Sequence, residues 1–197
     1  KTEHPSILYY GRLKRYKRVH LLLQALVEIR HRVPGTRLHV VGSGDQLGRL
    51  QRLAGELGLG EAVTFHGFLS DSARWDVVAS TWLNVQPSLK EGWGLTVLEA
   101  AQCGVPTVAS RVAGLRDAIV EGQTGELFDQ QDLAEMVAKV SPLPPDAGRR
   151  QALGEPALEW AGGFACDDAT AEPESRLEAV CVSAPCRMRF AEVPRAM

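Results

Sequence analysis

The chain of 197 residues contains no apolar run approaching the ~18 residues that a membrane-spanning helix requires, which excludes a transmembrane anchor within it. Its first residues, Lys1 to Ser6, carry no secretory h-region. Cysteine is sparse: Cys103, Cys166, Cys181 and Cys186 are scattered, and the last two lack a second pair at zinc spacing. Reduced cysteines in a cytoplasmic protein are therefore expected, with no structural metal. A net charge of -2 lacks the basic excess that a nucleic-acid partner would require. Gly42 and Gly44 form a Gly-x-Gly, but Leu47 stands where a dinucleotide fingerprint needs its third glycine, so a nicotinamide cofactor is not indicated. Hydrophobic residues make up 45% and charged residues 23% of the chain, which fits one sizeable globular core.

What is present is a regular alternation of short β-rich runs and helical patterns. SILYYG is the first strand, and Val19, Leu22, Leu23, Leu26 and Ile29 then mark one face of a helix. RLHVVG, AVTFHG, TWLNVQ, PTVAS and TGELF read as five further strands, separated by helices that include Asp71 to Ala79, Leu95 to Gln102, GLRDAIVEG and DLAEMVAKV. Such alternation builds a parallel sheet covered by helices on both faces. Ligands then sit beyond the carboxyl ends of the strands. Past Val140 the texture changes. SPLPPDAG is turn-rich, and GRRQALGEPALEWAGGF reads as a helix interrupted at Gly154 and Pro156. A last helix is expected around ATAEPESRLEAV, followed by a poorly ordered tail.

The most informative segment runs from Pro87 to Pro106. It has a Gly-x-Gly turn at Gly92 and Gly94, then an apolar helical run. A glycine-flanked helix start leaves backbone N–H groups unpaired at the positive end of the helix dipole, where a phosphate binds well. Glu91 and Glu99, eight residues apart, can accept hydrogen bonds from sugar hydroxyls. Phosphate and polyol together suggest a nucleotide sugar. Five cations lie in seven residues after the first strand: Arg12, Lys14, Arg15, Lys17 and Arg18. Fixed cations there would stabilise the charge that develops on a diphosphate leaving group.

ProSer, Glu91, Gly-aromatic-Gly, Glu99-Ala and Gly-Val-Pro resemble the donor site of retaining glycosyltransferases of family four, which have the two-domain GT-B fold. The resemblance also includes GRLKRYK, VVGSG, FHGFL and AGLRDAIVEGQTGELF, and covers roughly residues 6 to 140. It implies that Arg12 and Lys17 contact the diphosphate, while Lys14, Arg15 and Arg18 face solvent. It places Glu91 on the donor sugar and Glu99 on the ribose, with the backbone amides of Trp93, Gly94, Leu95 and Thr96 on the diphosphate and Gly92 in the same turn. The Trp93 ring would be structural. Gly42 would make a tight turn near the nucleotide, and Phe68 and Leu69 would lie near the base. His66 reads as structural. Arg12, Lys17 and Glu91 are the candidate catalytic groups. With no Asp-x-Asp in the chain, no metal is expected on the diphosphate.

The expected fold is therefore α/β: a Rossmann-like, doubly wound, six-stranded parallel sheet, the C-terminal half of a GT-B enzyme. Residues 1–140 would form the donor-binding domain, 141–182 a helical extension packed on it, and 183–197 a disordered tail. The expected activity is hexosyl transfer from a nucleotide-diphosphate sugar to a glycan, lipid or small-molecule hydroxyl. A separate N-terminal domain would supply the acceptor site and any contact with a membrane surface. Two rival readings stand at this point. One is a non-catalytic nucleotide-binding partner subunit. The other is a sugar-nucleotide epimerase, which would need acid–base residues at the reacting carbon. Glu91→Gln is expected to matter only when a sugar is attached to the nucleotide.

Overall fold

The computed structural model describes residues 1–163. The expected last helix and tail, with Cys166, Cys181 and Cys186, lie outside the described residues. Six strands form one sheet: β1 (Ser6–Tyr10), β2 (Arg37–Val41), β3 (Val63–Gly67), β4 (Leu83–Gln86), β5 (Thr107–Ser110) and β6 (Gly125–Phe128). Every pairing is parallel, and the spatial order is β3-β2-β1-β4-β5-β6. The connecting helices are α1 (Val19–Arg32), α2 (Leu47–Glu56), α3 (Asp71–Ser80), α4 (Leu95–Gln102), α5 (Ala113–Ala118) and α6 (Leu133–Val140), with α7 (Ala147–Gly162) after them. A single 3-10 turn, Arg15–Lys17, precedes α1.

The period-two geometry of a strand explains why the runs are apolar throughout. In β1, Ile7 and Tyr9 face a core shared with Leu38, Val40 and Val85 of the sheet, Leu22, Leu26 and Ile29 of α1, and Met136 and Val137 of α6. Leu8 points the other way, packing with Val41, Val78 of α3 and Ala100 of α4. Both sheet faces are thus covered, as the strand–helix alternation predicts. The strand order reverses between β1 and β4, which opens a crevice at their carboxyl ends.

Two expectations need adjusting. The helix predicted over GLRDAIVEG stops at Ala118, with Ile119 in extended geometry. And α7 is not broken at Gly154 or Pro156 but continues from Ala147 to Gly162. A proline inside a helix removes one i→i−4 bond and costs about 3 kcal/mol; the carbonyl that loses its partner belongs to Ala152, an exposed residue. Packing offsets the loss. Ala157 and Ala161 bury against Ala101 of α4, and Gly154 lies so close to the turn after α4 that a Cβ there would be 2.6 Å from the Gly104 carbonyl oxygen. The breaker glycine is what lets the helix dock.

Candidate functional site

The loops after β1, β2, β3 and β4 are drawn together because their backbones are bonded to one another. After β1, Gly11 N–H donates to Val41 O (3.0 Å) and Leu13 N–H to Ser43 O (2.8 Å), while Gln46 N–H donates back to Leu13 O (3.1 Å). A Cβ at Gly42 would stand 2.0 Å from the Gly11 carbonyl oxygen, so only glycine permits this zipper. The loop after β4 joins through Leu89 N–H to Tyr16 O (2.7 Å). Gly42 also donates to Gly67 O (2.8 Å), which brings the loop after β3 alongside.

A cavity of about 310 Å³ opens between the loops after β1 and β4, lined by Arg12, Tyr16, Lys17, Lys90, Glu91 and Gly92. Lys17 Nζ donates to Glu91 Oε1 at 2.5 Å, with side chains only 9% and 11% exposed. Ser88 Oγ donates to the same oxygen at 2.7 Å. The two residues assigned by resemblance to diphosphate and sugar are therefore paired with each other across 74 positions of sequence. Cations gather round Tyr16: Lys17 and Lys90 each place Nζ 5.6 Å from its ring centroid, and Arg12 Nη2 donates to its hydroxyl at 3.4 Å. Neither Tyr16 nor Lys90 was singled out from sequence. The available signal was a lysine immediately before the first glutamate of the motif.

The remaining basic residues divide differently from expectation. Lys14 pairs with Asp45 at 3.2 Å, both substantially exposed, and Arg15 is exposed. Arg18, by contrast, does not simply face solvent. It donates through Nη1 to Gln130 O (2.6 Å) and takes a left-handed backbone (φ 55) as the hinge between the 3-10 turn and α1.

At the start of α4, Gly94 adopts φ 66, and a Cβ there would lie 2.9 Å from both Ala118 Cβ and the Gly114 carbonyl oxygen. No side chain caps this helix. The amides of Leu95 and Thr96 thus have no intrahelical acceptor and sit at the positive end of the dipole. The Trp93 ring packs with Val97, Leu98, Leu115 and Ala118.

One turn deeper, Glu99 is half-buried, and loss of hydration pushes its carboxyl above the ordinary range; Arg74 and Tyr10 oppose that shift. Burial, reinforced by Glu99, pushes the Tyr10 phenol up to about 12. Phe68 is 86% exposed, whereas Leu69 packs with Val41 and Val78. His66 Nε2 lies 3.0 Å from His39 Nδ1, and the two rings stack; burial, then His66, lowers His39 to about 4. This pairing is consistent with a packing role for His66.

Fold and crevice together define a doubly wound α/β unit with a basic, helix-terminated pocket at its switch point, the architecture of GT-B glycosyltransferases. The profile of the family described as Glycosyl transferases group 1 matches residues 1–160, and the chain belongs to that family. It is 36% identical over 166 residues to a GDP-mannose-dependent alpha-(1-6)-phosphatidylinositol monomannoside mannosyltransferase of Mycolicibacterium smegmatis, covering 81% of this chain and 44% of that one. It is 36% identical over 163 residues to a D-inositol 3-phosphate glycosyltransferase of Corynebacterium jeikeium, covering 79% and 39%. The solved sucrose-phosphate synthase of Thermosynechococcus elongatus superposes with a TM-score of 0.75 at 30% identity, covering 81% of this chain and 41% of the other. The chain thus spans about two fifths of the length of these relatives.

Proposed function

We propose that this chain is the donor-binding domain of a retaining, metal-independent hexosyltransferase, and that its crevice holds a nucleotide-diphosphate sugar. One observation carries the reading: three cations and a carboxylate are brought to one crevice from two loops distant in sequence, the second of which runs into an uncapped helix start. Arg12 and Lys17 would neutralise the diphosphate as the glycosidic bond breaks, with Lys90 as a third cation beside them. Uncapped amides at Leu95 and Thr96, continuous with the Gly92–Trp93–Gly94 turn, would hold the phosphate oxygens. Glu91 would accept from the sugar hydroxyls and Glu99 from the ribose. Phe68, an exposed ring, would offer the base a stacking face, with Leu69 anchoring its loop and Gly42 keeping the turn tight. These cations and amides would do the work of a divalent metal.

The transferred sugar would go to a hydroxyl of a glycan, lipid or small molecule held by a separate N-terminal domain. Catalysis needs that domain to position the acceptor and exclude water. The name of the mycolicibacterial relative makes GDP-mannose the first donor to try. Calorimetric titration with UDP, GDP and ADP and their hexosyl derivatives tests the reading. One base should bind through the diphosphate, and binding should survive EDTA. No binding by any of the three, or binding restored only by a divalent metal, would overturn it.

A further inference from the structure

Three cations line one cavity of about 310 Å³, and like charges held that close repel one another. Glu91 is the carboxylate among the lining residues, and Lys17 is already bonded to it. Arg12 and Lys90 are exposed and enter no ion pair among the described residues. What the three cations share is Tyr16. Lys17 Nζ and Lys90 Nζ each lie 5.6 Å from its ring centroid, and Arg12 Nη2 donates to its hydroxyl at 3.4 Å. Tyr16 stands in the middle of the 3-10 turn Arg15–Lys17, whereas Lys90 comes from the loop after β4. The two loops are tied by Leu89 N–H to Tyr16 O at 2.7 Å, a bond between backbone atoms. That tie does not depend on the side chain, so the phenol ring is left with the cations.

We propose that Tyr16 is a positioning residue of the diphosphate site, its ring and hydroxyl holding Lys90 and Arg12 at the cavity before the ligand arrives. The inference rests on the donor-site reading above. A carboxylate gathers cations by neutralising them, and a diphosphate must then displace it, as at Glu91 and Lys17. An aromatic face attracts cations through its quadrupole and carries no net charge. Tyr16 therefore offsets the repulsion among the three cations and leaves their charge for the ligand. Long side chains gathered in advance also lose less freedom when the anion binds.

The test is calorimetry with UDP, GDP and inorganic pyrophosphate on wild type, Tyr16→Phe, Tyr16→Leu, Lys90→Met and the double variant Tyr16→Leu/Lys90→Met. Circular dichroism establishes that each variant is folded. Tyr16→Phe keeps the ring and should weaken binding only about two- to threefold, through loss of the Arg12 acceptor. Tyr16→Leu removes ring and hydroxyl together and should weaken it about tenfold. The loss should be the same for pyrophosphate as for the nucleotides. In the double variant the loss should fall well below the product of the two single losses, because a ring that acts through Lys90 has less to do once Lys90 is gone. A ring that only fills space would give the full product, and that result refutes the proposal. So does unchanged binding by Tyr16→Leu, or a loss seen with UDP and GDP but not with pyrophosphate, which would mean that the ring touches the nucleoside itself. Wild type that binds none of the three ligands overturns the donor-site reading and this inference with it.

Discussion

Glu91→Gln should tighten binding of a bare nucleoside diphosphate, although Glu91 belongs to the sugar end of the site. In the free protein Lys17 is committed to Glu91 at 2.5 Å, in a place where both side chains are about nine-tenths buried. A diphosphate can recruit Lys17 only by drawing it from that carboxylate. Charged hydrogen bonds contribute about 1.5–3 kcal/mol and neutral ones about 0.5–1.5. Replacing the carboxylate by an amide, which keeps an acceptor for Lys17 and Ser88, should thus weaken the competing bond by about 1 kcal/mol. That corresponds to a gain of roughly fivefold in affinity for UDP or GDP. The same change removes the acceptor for the sugar hydroxyls, so the nucleotide sugar should lose affinity relative to the bare diphosphate. Uncompensated burial of Lys17 should also lower thermal stability. Calorimetry with the diphosphate and its hexosyl derivative, on wild type and variant, reads both effects. Equal or weaker diphosphate binding by Glu91→Gln would refute the competition. The pairing thus predicts an effect on the bare diphosphate, beyond the expectation that Glu91 matters only when a sugar is attached.

Lys90→Ala should weaken diphosphate binding by roughly three- to tenfold with a reduced salt dependence, while Lys14→Ala, which loses only an exposed pair with Asp45, should bind as wild type by the same calorimetry. Glu99 is held above its ordinary pKa, so the folded state takes up more protons than the unfolded one and stability falls as pH rises through that range. Glu99→Gln should therefore raise the Tm at pH 7 by a few degrees (~2–4 °C per kcal/mol for a chain of this size) while abolishing the ribose preference. His39 has the opposite sign: its lowered pKa, about 4, means that stability is lost as pH falls from the ordinary histidine value toward 4, and His39→Gln should flatten that part of a Tm–pH curve. Gly94→Ala must hold a left-handed backbone and crowd Ala118 and Gly114. It should cost about 1–3 kcal/mol in chemical denaturation and weaken phosphate binding together.

The sheet was legible because its evidence is local. Each strand is a short apolar run ended by glycine or a polar loop, and the helix between Val19 and Ile29 declares its buried face in its own spacing. The Pro87 to Pro106 motif was legible for the same reason: a glycine pair, two carboxylates and a helix start lie within one stretch of chain. Contacts between distant stretches were not. Lys17 and Glu91 sit 74 residues apart, and Arg18 and Gln130 112 apart, so neither pairing can be read from the charge pattern, and Arg18, expected to face solvent, donates to Gln130 O instead. Pro156 and Gly154 read as breakers because local propensity cannot register that α4 lies underneath.

The central claim, that the crevice is a diphosphate site served by Arg12 and Lys17, is tested most directly by comparing a nucleoside with its diphosphate on three proteins: wild type, Arg12→Ala and Lys17→Ala. Wild type should bind the diphosphate far more tightly than the nucleoside. Each substitution should remove about 1.5–3 kcal/mol of that difference while leaving nucleoside affinity unchanged. Undiminished diphosphate affinity in both variants would contradict the account.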